Sequence, residues 1–390
     1  MNFGFYIILG AQFLSALADN ALLFTAIALL RELSAPSWHE PLLLQFFVIS
    51  YIILAPVVGS FADAYPKGNV MFVANAIKFI GSISMIFGMP PLYAYGIVGI
   101  GAAAYSPAKY GILTEYLPSN MLVKANGWME GSTVMAIVLG AILGALLPKI
   151  STEISLVVIT LLYMVASIFN IYIPKVQLDH KLSKRNPLYV LKDFSHSFKA
   201  LWRDPQGQVS LAVTTLFWGV GATLRFVVIA WAAYALGFNQ SQGTYLTVVV
   251  AVGIAIGSVI AASMIKLEES VKVLPAGIAM GLLVISMIFI TEWHIACLLL
   301  VAIGILSGYF VVPLNALLQH RGHLLIGAGH SIAVQNFNEN LGILILSGAY
   351  TLMVKAGIPI NLIVISFGLF VSVSMAGIYR IYRNQINIPG

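Results

Sequence analysis

Long apolar runs broken by short polar intervals set the pattern of this chain. A helix that crosses a bilayer needs about 20 apolar residues. Read against their polar breakers, the runs predict twelve such helices, near 4–30, 42–62, 70–88, 91–113, 122–148, 152–174, 207–236, 243–265, 271–291, 294–318, 328–354 and 358–380. The longest polar interval is 175–206, which carries Lys175, Lys181, Lys184, Arg185, Lys192, Lys199 and Arg203. Its phenylalanines and Trp202 predict a short helix lying in the membrane interface. The chain therefore divides into a six-helix bundle over 1–174, a basic linker over 175–206 and a second six-helix bundle over 207–390.

Composition removes the soluble alternatives. Of 390 residues, 60% are apolar and 9% charged, whereas soluble domains carry about 25% charged residues. Too few polar groups exist to cover such a core, so lipid must be the solvent. The net charge of +6 suggests nucleic acid until the charges are placed. With the N-terminus inside, fourteen Lys and Arg fall in inside loops and tail and three, Arg31, Lys149 and Lys355, fall outside. That bias predicts a multi-pass inner-membrane protein with both termini in the cytoplasm and no nucleic-acid partner. The first apolar run is too long for a cleaved signal and lacks a basic leader. Cys297 is the only cysteine, so no internal disulfide forms.

Enzyme chemistry is not encoded in a recognisable form. No Gly-Lys pair exists to build a phosphate-cradling loop, the seven histidines show no metal-ligand spacing, and no Ser–His–acid set stands out. The reading is a non-enzyme without metal or cofactor.

The two halves echo each other. Ser106-Pro107 opens a stretch that runs through a polar loop to Asn126 and Glu130; Pro313-Leu314-Asn315 opens one that runs to Gln335, Asn336 and Glu339. Pro107 to Glu130 and Pro313 to Asn336 are both 23 residues. With the central basic linker, this repetition favours the paired six-helix halves of a major-facilitator transporter.

Six ionisable residues fall inside predicted spans: Asp19, Lys78, Lys109, Glu130, Arg225 and Glu339. At about 3 kcal/mol each on insertion scales, they cost on the order of 15–20 kcal/mol together. They must face a cavity or one another. Asp19 lies near mid-span on a polar stripe with Gln12 and Ser15. It can staple helices to a neighbouring base, or bind an ammonium group; Asn20 beside it can orient the carboxylate or meet a substrate oxygen. Arg225 sits at similar depth in the seventh span, so it can pair with Asp19 or bind phosphate through its fork of donors. Lys109 either lines the cavity or snorkels to the interface. Glu130 shares a face with Asn126 and Thr133, and Glu339 with Gln335 and Asn336, as cavity-lining groups do. Lys78, between Asn75 and Ser82, is a candidate charge partner for a nearby acid.

Gly59-Ser60-Phe61-Ala62-Asp63-Ala64-Tyr65-Pro66-Lys67-Gly68 follows the second span. It resembles the Gly-x-x-x-Asp-…-Lys/Arg-Gly signature of the facilitator superfamily, with inserted residues relative to the commonest spacing. Gly59, Asp63, Lys67 and Gly68 are assigned to a conformational latch in which Asp63 caps a neighbouring helix.

Beyond this loop the chain resembles the bacterial lysophospholipid transporters of the major facilitator superfamily over nearly its whole length. The stretches that carry the resemblance are QFLSALADNALL (12–23), GIGAAAYSPAKYGIL (99–113), VKANGWME (123–130), LFWGVGATLRF (216–226), FVVPLNALLQHRG (310–322) and GAGHSIAVQNFNEN (327–340). The resemblance implies movement of lysophosphatidylethanolamine and related lysolipids, including lysophosphatidylglycerol, toward the cytoplasmic leaflet. There a separate acyltransferase–acyl-carrier-protein synthetase re-esterifies them. Arg225, with Lys109, is then expected to take phosphate and Asp19 or Glu339 the ammonium, in a monomer whose halves rock. Two rivals remain: a proton-coupled drug or small-solute transporter of the same fold, using Asp19, Glu130 and Glu339 as proton sites, and a non-transporting scaffold that docks a lipid enzyme.

Overall fold

The computed structural model describes residues 2–36, 39–176 and 187–386. The linker positions Lys181, Lys184 and Arg185 lie outside them. The described residues form thirteen α-helices and no strand. Six precede the linker: α1 (Phe3–Glu32), α2 (His39–Ala64), α3 (Lys67–Ile86), α4 (Pro91–Tyr116), α5 (Leu122–Leu146) and α6 (Thr152–Ile171). In the linker, α7 (Pro187–Arg203) is the short amphipathic helix. Six follow: α8 (Pro205–Leu236), α9 (Gln240–Met264), α10 (Leu274–Ser286), α11 (Trp293–Ile326), α12 (Ala328–Lys355) and α13 (Ile360–Ile386).

Ten segments among the described residues are long and apolar enough to cross a membrane. The other two expected spans, α4 and α12, are helices of 26 and 28 residues. They are long enough, and their lower hydropathy reflects the polar residues placed along them.

The helix ends follow local chemistry. Asp204 accepts from the Gly207 amide and Pro205 opens α8, which stops at Gly237 in the left-handed conformation (φ 66°). Asn239 and Gln242 form a reciprocal capping box at α9. Pro56, Pro107 and Pro313 sit inside α2, α4 and α11, as membrane helices tolerate.

Contacts group the chain into two compact units. The first comprises Met1–Pro118, Met135–Ala200 and Gly322–Phe337; the second comprises Ser119–Val134, Leu201–Arg321 and Asn338–Gly390. In the first, α3 packs between α4 and α6, and α1 lies along α6. Ala18, Leu22, Leu43, Tyr95, Ile159 and Tyr163 form one buried apolar cluster, while Ile8, Val70, Met71 and Ile112 belong to another. Apolar burial drives no association between helices in lipid, so close backbone approach matters. A side chain at Gly101 would come within 2.6 Å of the Ala74 carbonyl, which explains a glycine on that face of α4. In the second unit, α9 and α11 meet through Gly253, Gly257, Gly304 and Gly308 in the same way.

Candidate functional site

Two polar clusters stand in the first unit. The first is built on the α1 stripe. Gln12 and Ser15 are buried and Asp19 is 19% exposed. Lys78 of α3, 1% exposed, reaches Asp19 Oδ2 at 2.7 Å and donates to Ser15 Oγ at 2.9 Å. Tyr163 of α6 donates to Asp19 Oδ1 at 2.8 Å, and Ser15 donates to Asn75 Oδ1 at 2.7 Å. The Lys78 ammonium also lies 4.7 Å from the Tyr105 ring centre, a favourable cation–π distance. Each carboxylate oxygen of Asp19 thus has a partner within its own unit. Lys78 takes the place expected for Arg225 beside Asp19, because α1 and α3 both pack on α6 and their side chains at 15, 19, 75 and 78 meet there. Sequence spacing along one helix could not show that face.

A cavity opens beside this cluster, lined by Gln12, Asp19, Tyr51, Lys78, Tyr105 and Lys109, with Ser15 and Ser106 among the remaining wall residues. Lys109 holds its ammonium 4.1 Å from the Tyr110 ring centre. It is one of the wall residues of this cavity. Asn20 is not among the lining residues: its amide donates to the Ala16 carbonyl at 2.8 Å, on its own helix. That corrects its expected role in orienting Asp19. A side chain at Gly140 would press on Asn20 Cβ, so this face of α1 packs against α5.

The second cluster is centred on Asp63, 1% exposed. Its Oδ1 accepts from the Gly329 amide at 2.6 Å and its Oδ2 from the His330 amide at 3.0 Å, so it caps the start of α12. The first amides of a helix lack intrahelical acceptors and carry partial positive charge, which makes that end a natural anion site. Lys67 bridges Asp63 at 3.0 Å and Glu115 at 2.8 Å and also donates to the Ala62 carbonyl. The His330 ring joins Asp63 Oδ2 (2.6 Å) to Asp193 Oδ2 of α7 (2.8 Å), with Ser60 Oγ at 3.0 Å. Gly59 is needed because an added Cβ would meet Ala333 at 2.9 Å; one at Gly68 would meet the Asn170 carbonyl at 3.0 Å. Also in this unit, Asn336 donates to Ser106 Oγ at 2.9 Å, and Gln335 is buried.

The second unit holds the remaining candidates. Glu130 is buried and accepts from Asn315 at 3.4 Å; Asn126 and Gln319 exchange two amide hydrogen bonds of 2.9 and 2.8 Å. Glu339 is buried at 8% exposure. Arg225 is exposed on α8, its guanidinium 5.7 Å from the Phe226 ring centre. Asp204 pairs with Arg321, whose Nε donates to Oδ2 at 3.1 Å. Burial alone would raise the Asp204 carboxyl, but Arg321 and the Gly207 amide outweigh it and hold the group below the usual range. No group of three or more His, Cys, Asp or Glu able to hold a metal ion occurs among the described residues.

The profile of the Major Facilitator Superfamily matches residues 8–347. The chain belongs to that superfamily. It is 44% identical over 377 residues to a lysophospholipid transporter LplT of Escherichia coli O1:K1, covering 96% of this chain and 95% of the relative. It is 45% identical over 358 residues to the LplT of Yersinia enterocolitica serotype O:8, covering 92% and 89%. Among solved structures it resembles a bacterial homologue of the iron transporter ferroportin in an outward-facing state, with TM-score 0.76, 16% identity, and 98% and 100% of the two chains covered. It also resembles the human organic anion transporter MFSD10, with TM-score 0.73, 15% identity, and 98% and 99% covered. At such identity these two likenesses speak for the fold alone. This facilitator chain is therefore a membrane transporter by family and not an enzyme.

Sequence reasoning assigned no role to Glu115, Tyr163, Asp193 or His330. Tyr163 sits in an apolar run like any core aromatic. His330 lies within the 327–340 stretch, one residue past the Gly329 that opens a helix, and that position was its available signal.

Proposed function

We propose that this chain moves lysophospholipids across the bacterial inner membrane toward the cytoplasmic leaflet, with both termini cytoplasmic. Lysophosphatidylethanolamine and lysophosphatidylglycerol are the substrates, and a separate acyltransferase–acyl-carrier-protein synthetase consumes them. The observation that carries this reading is the likeness to lysophospholipid transporters at 44–45% identity across nearly the full length of both chains.

The cavity chemistry supports it. A zwitterionic head group brings an anion and a cation, and the wall offers Lys109, Lys78 and Asp19 within one space. Phosphate is taken by Lys109 and by Arg225. A guanidinium presents paired donors to phosphate oxygens, and Arg225 is exposed on α8. The head-group ammonium competes with Lys78 for Asp19, or is taken by Glu339. The buried amides Gln335 and Asn336 and the Glu130 carboxylate are the remaining polar lining, and the acyl chain follows apolar helix faces. Movement is a rocking of the halves 1–174 and 207–390 about the linker 175–206, by one chain acting as a monomer. The Asp63 cap on α12 is a contact that exists in only some of the states visited.

The assignment is tested by Arg225→Ala, and by Lys109→Ala beside it, in vesicles containing the purified protein. Each loses a charge-assisted contact worth about 1.5–3 kcal/mol, so uptake of labelled lysophosphatidylethanolamine falls at least about tenfold while insertion is normal. Uptake at the unmodified rate in both variants contradicts the phosphate site. Collapse of uptake by a proton ionophore in the unmodified protein supports the proton-coupled alternative instead.

A further inference from the structure

We propose that His330 is a proton-binding site, and that its proton holds α2, α7 and α12 together so that the latch responds to pH on the face carrying α7. The inference begins with donor counting. A carboxylate only accepts hydrogen bonds, and a neutral imidazole has one N–H and one bare nitrogen. Nδ1 of His330 lies 2.6 Å from Asp63 Oδ2, and Nε2 lies 2.8 Å from Asp193 Oδ2. With a neutral ring, one bare nitrogen would oppose a carboxylate oxygen, lone pair to lone pair, at less than 3 Å. Both nitrogens must carry hydrogen, or one carboxyl must supply it. Either way the trio binds one proton more than its separated members hold near neutrality.

The surroundings favour that proton. Asp63 and the Ser60 hydroxyl face the ring from α2, and Asp193 faces it from α7. Lys67 of α3 and Glu115 of α4 act through Asp63. In order, Glu115, Lys67, Asp63, His330 and Asp193 then alternate in sign. Without the proton, three acids would share one lysine, and two of them, Asp63 and Glu115, are buried, where like charges repel most strongly. Separation of α12 from α2 and α7 returns His330 to an ordinary imidazole that titrates at about 6.5. The proton is therefore bound on latching and released on opening. Raising pH through and above the imidazole range weakens the latch, and lowering it strengthens the latch, by up to about tenfold in the closed-to-open ratio per pH unit. The plainer alternative is a neutral staple that donates from Nδ1 to Asp63 and accepts from Ser60. It leaves Asp193 at 2.8 Å from a bare nitrogen with nothing to hold it there.

The test uses the full chain in lipid bilayers with ring-15N histidine, resolving His330 from the other six histidines by the signal missing in His330→Gln. The expected spectrum at about pH 7.5, a full unit above the ordinary imidazole value, shows both ring nitrogens protonated at His330. Asp193→Asn lowers the pH at which that signal converts. A neutral-tautomer pattern at this pH, or a titration indifferent to Asp193→Asn, overturns the proposal. Asp193 is 34% exposed, so its replacement threatens folding little and keeps the test open if His330→Gln fails to insert; the resonance is then identified by its response to Asp193→Asn. Hydrogen exchange of the 322–337 segment, corrected for intrinsic pH dependence, gives a second readout. It should speed as pH rises in the unmodified chain more steeply than in Asp193→Asn. Equal slopes contradict the mechanism.

Discussion

The clusters around Asp19 and Asp63 each pair an acid with a buried lysine, Asp19 being 19% exposed and Asp63 1%, and they are built from different partners. Among the described residues, Asp19 is held by the side chains of Lys78 and Tyr163, beside a cavity. Asp63 is held by backbone amides at the start of α12 as well as by Lys67 and His330. Side-chain partners can be exchanged for a charged solute without moving a helix. Backbone partners leave only when the helix itself leaves. The first arrangement suits a site that hands an ion pair to a ligand, and the second suits a contact that counts conformational states.

Kinetics can break that distinction. The largest effect is expected for Asp63→Asn, which removes one anion from a buried network. Uncompensated buried charge costs about 3–5 kcal/mol. Maximal uptake should fall at least tenfold with the half-saturating lysolipid concentration changed by less than about twofold, since an interaction absent from the bound site was lost. A large rise in half-saturation with normal turnover would place Asp63 in the ligand site instead.

Asp19→Asn comes next. It strands the Lys78 ammonium at 1% exposure and costs about 3–5 kcal/mol of stability by the same reasoning. The double variant Asp19→Asn, Lys78→Met should regain most of that stability in a thermal melt, because no lone charge remains, but should not regain uptake. Recovery of both together would mean that the pair is only a staple.

The smallest effect belongs to Asp204→Ala, where a helix cap and a partly exposed ion pair (30% and 11%) are worth about 1 kcal/mol. Because Asp204 is held below the usual carboxylate range, its contribution is complete above the ordinary aspartate value and is lost as pH falls through the lowered one. The stability gap between Asp204→Ala and the parent should therefore close on acidification. A gap that widens in acid would contradict the sign.

Much of this was legible in the sequence, for physical reasons. Span positions follow from the length of apolar run that lipid demands, and α7 from an interrupted basic interval with aromatic residues. The polar stripe of Gln12, Ser15 and Asp19 announced a cavity face because charge at mid-membrane needs a partner. Which partner it takes depends on how α1, α3 and α6 rotate against one another, and one sequence does not encode that rotation visibly. Asn20 shows the limit well: beside Asp19 in the chain, it turns its amide to Ala16 and its Cβ toward Gly140. The Asp63 stretch at the end of α2 was readable as a motif, whereas His330 and Asp193 enter from residues 267 and 130 positions away.

Whether lipid moves is the question on which the account turns. Purified chain in vesicles of neutral lipid, with no synthetase present, should carry labelled lysophosphatidylethanolamine between leaflets faster than protein-free vesicles, and Asp19→Asn, Lys78→Met should remove the difference. Equal rates with and without the unmodified protein would contradict it.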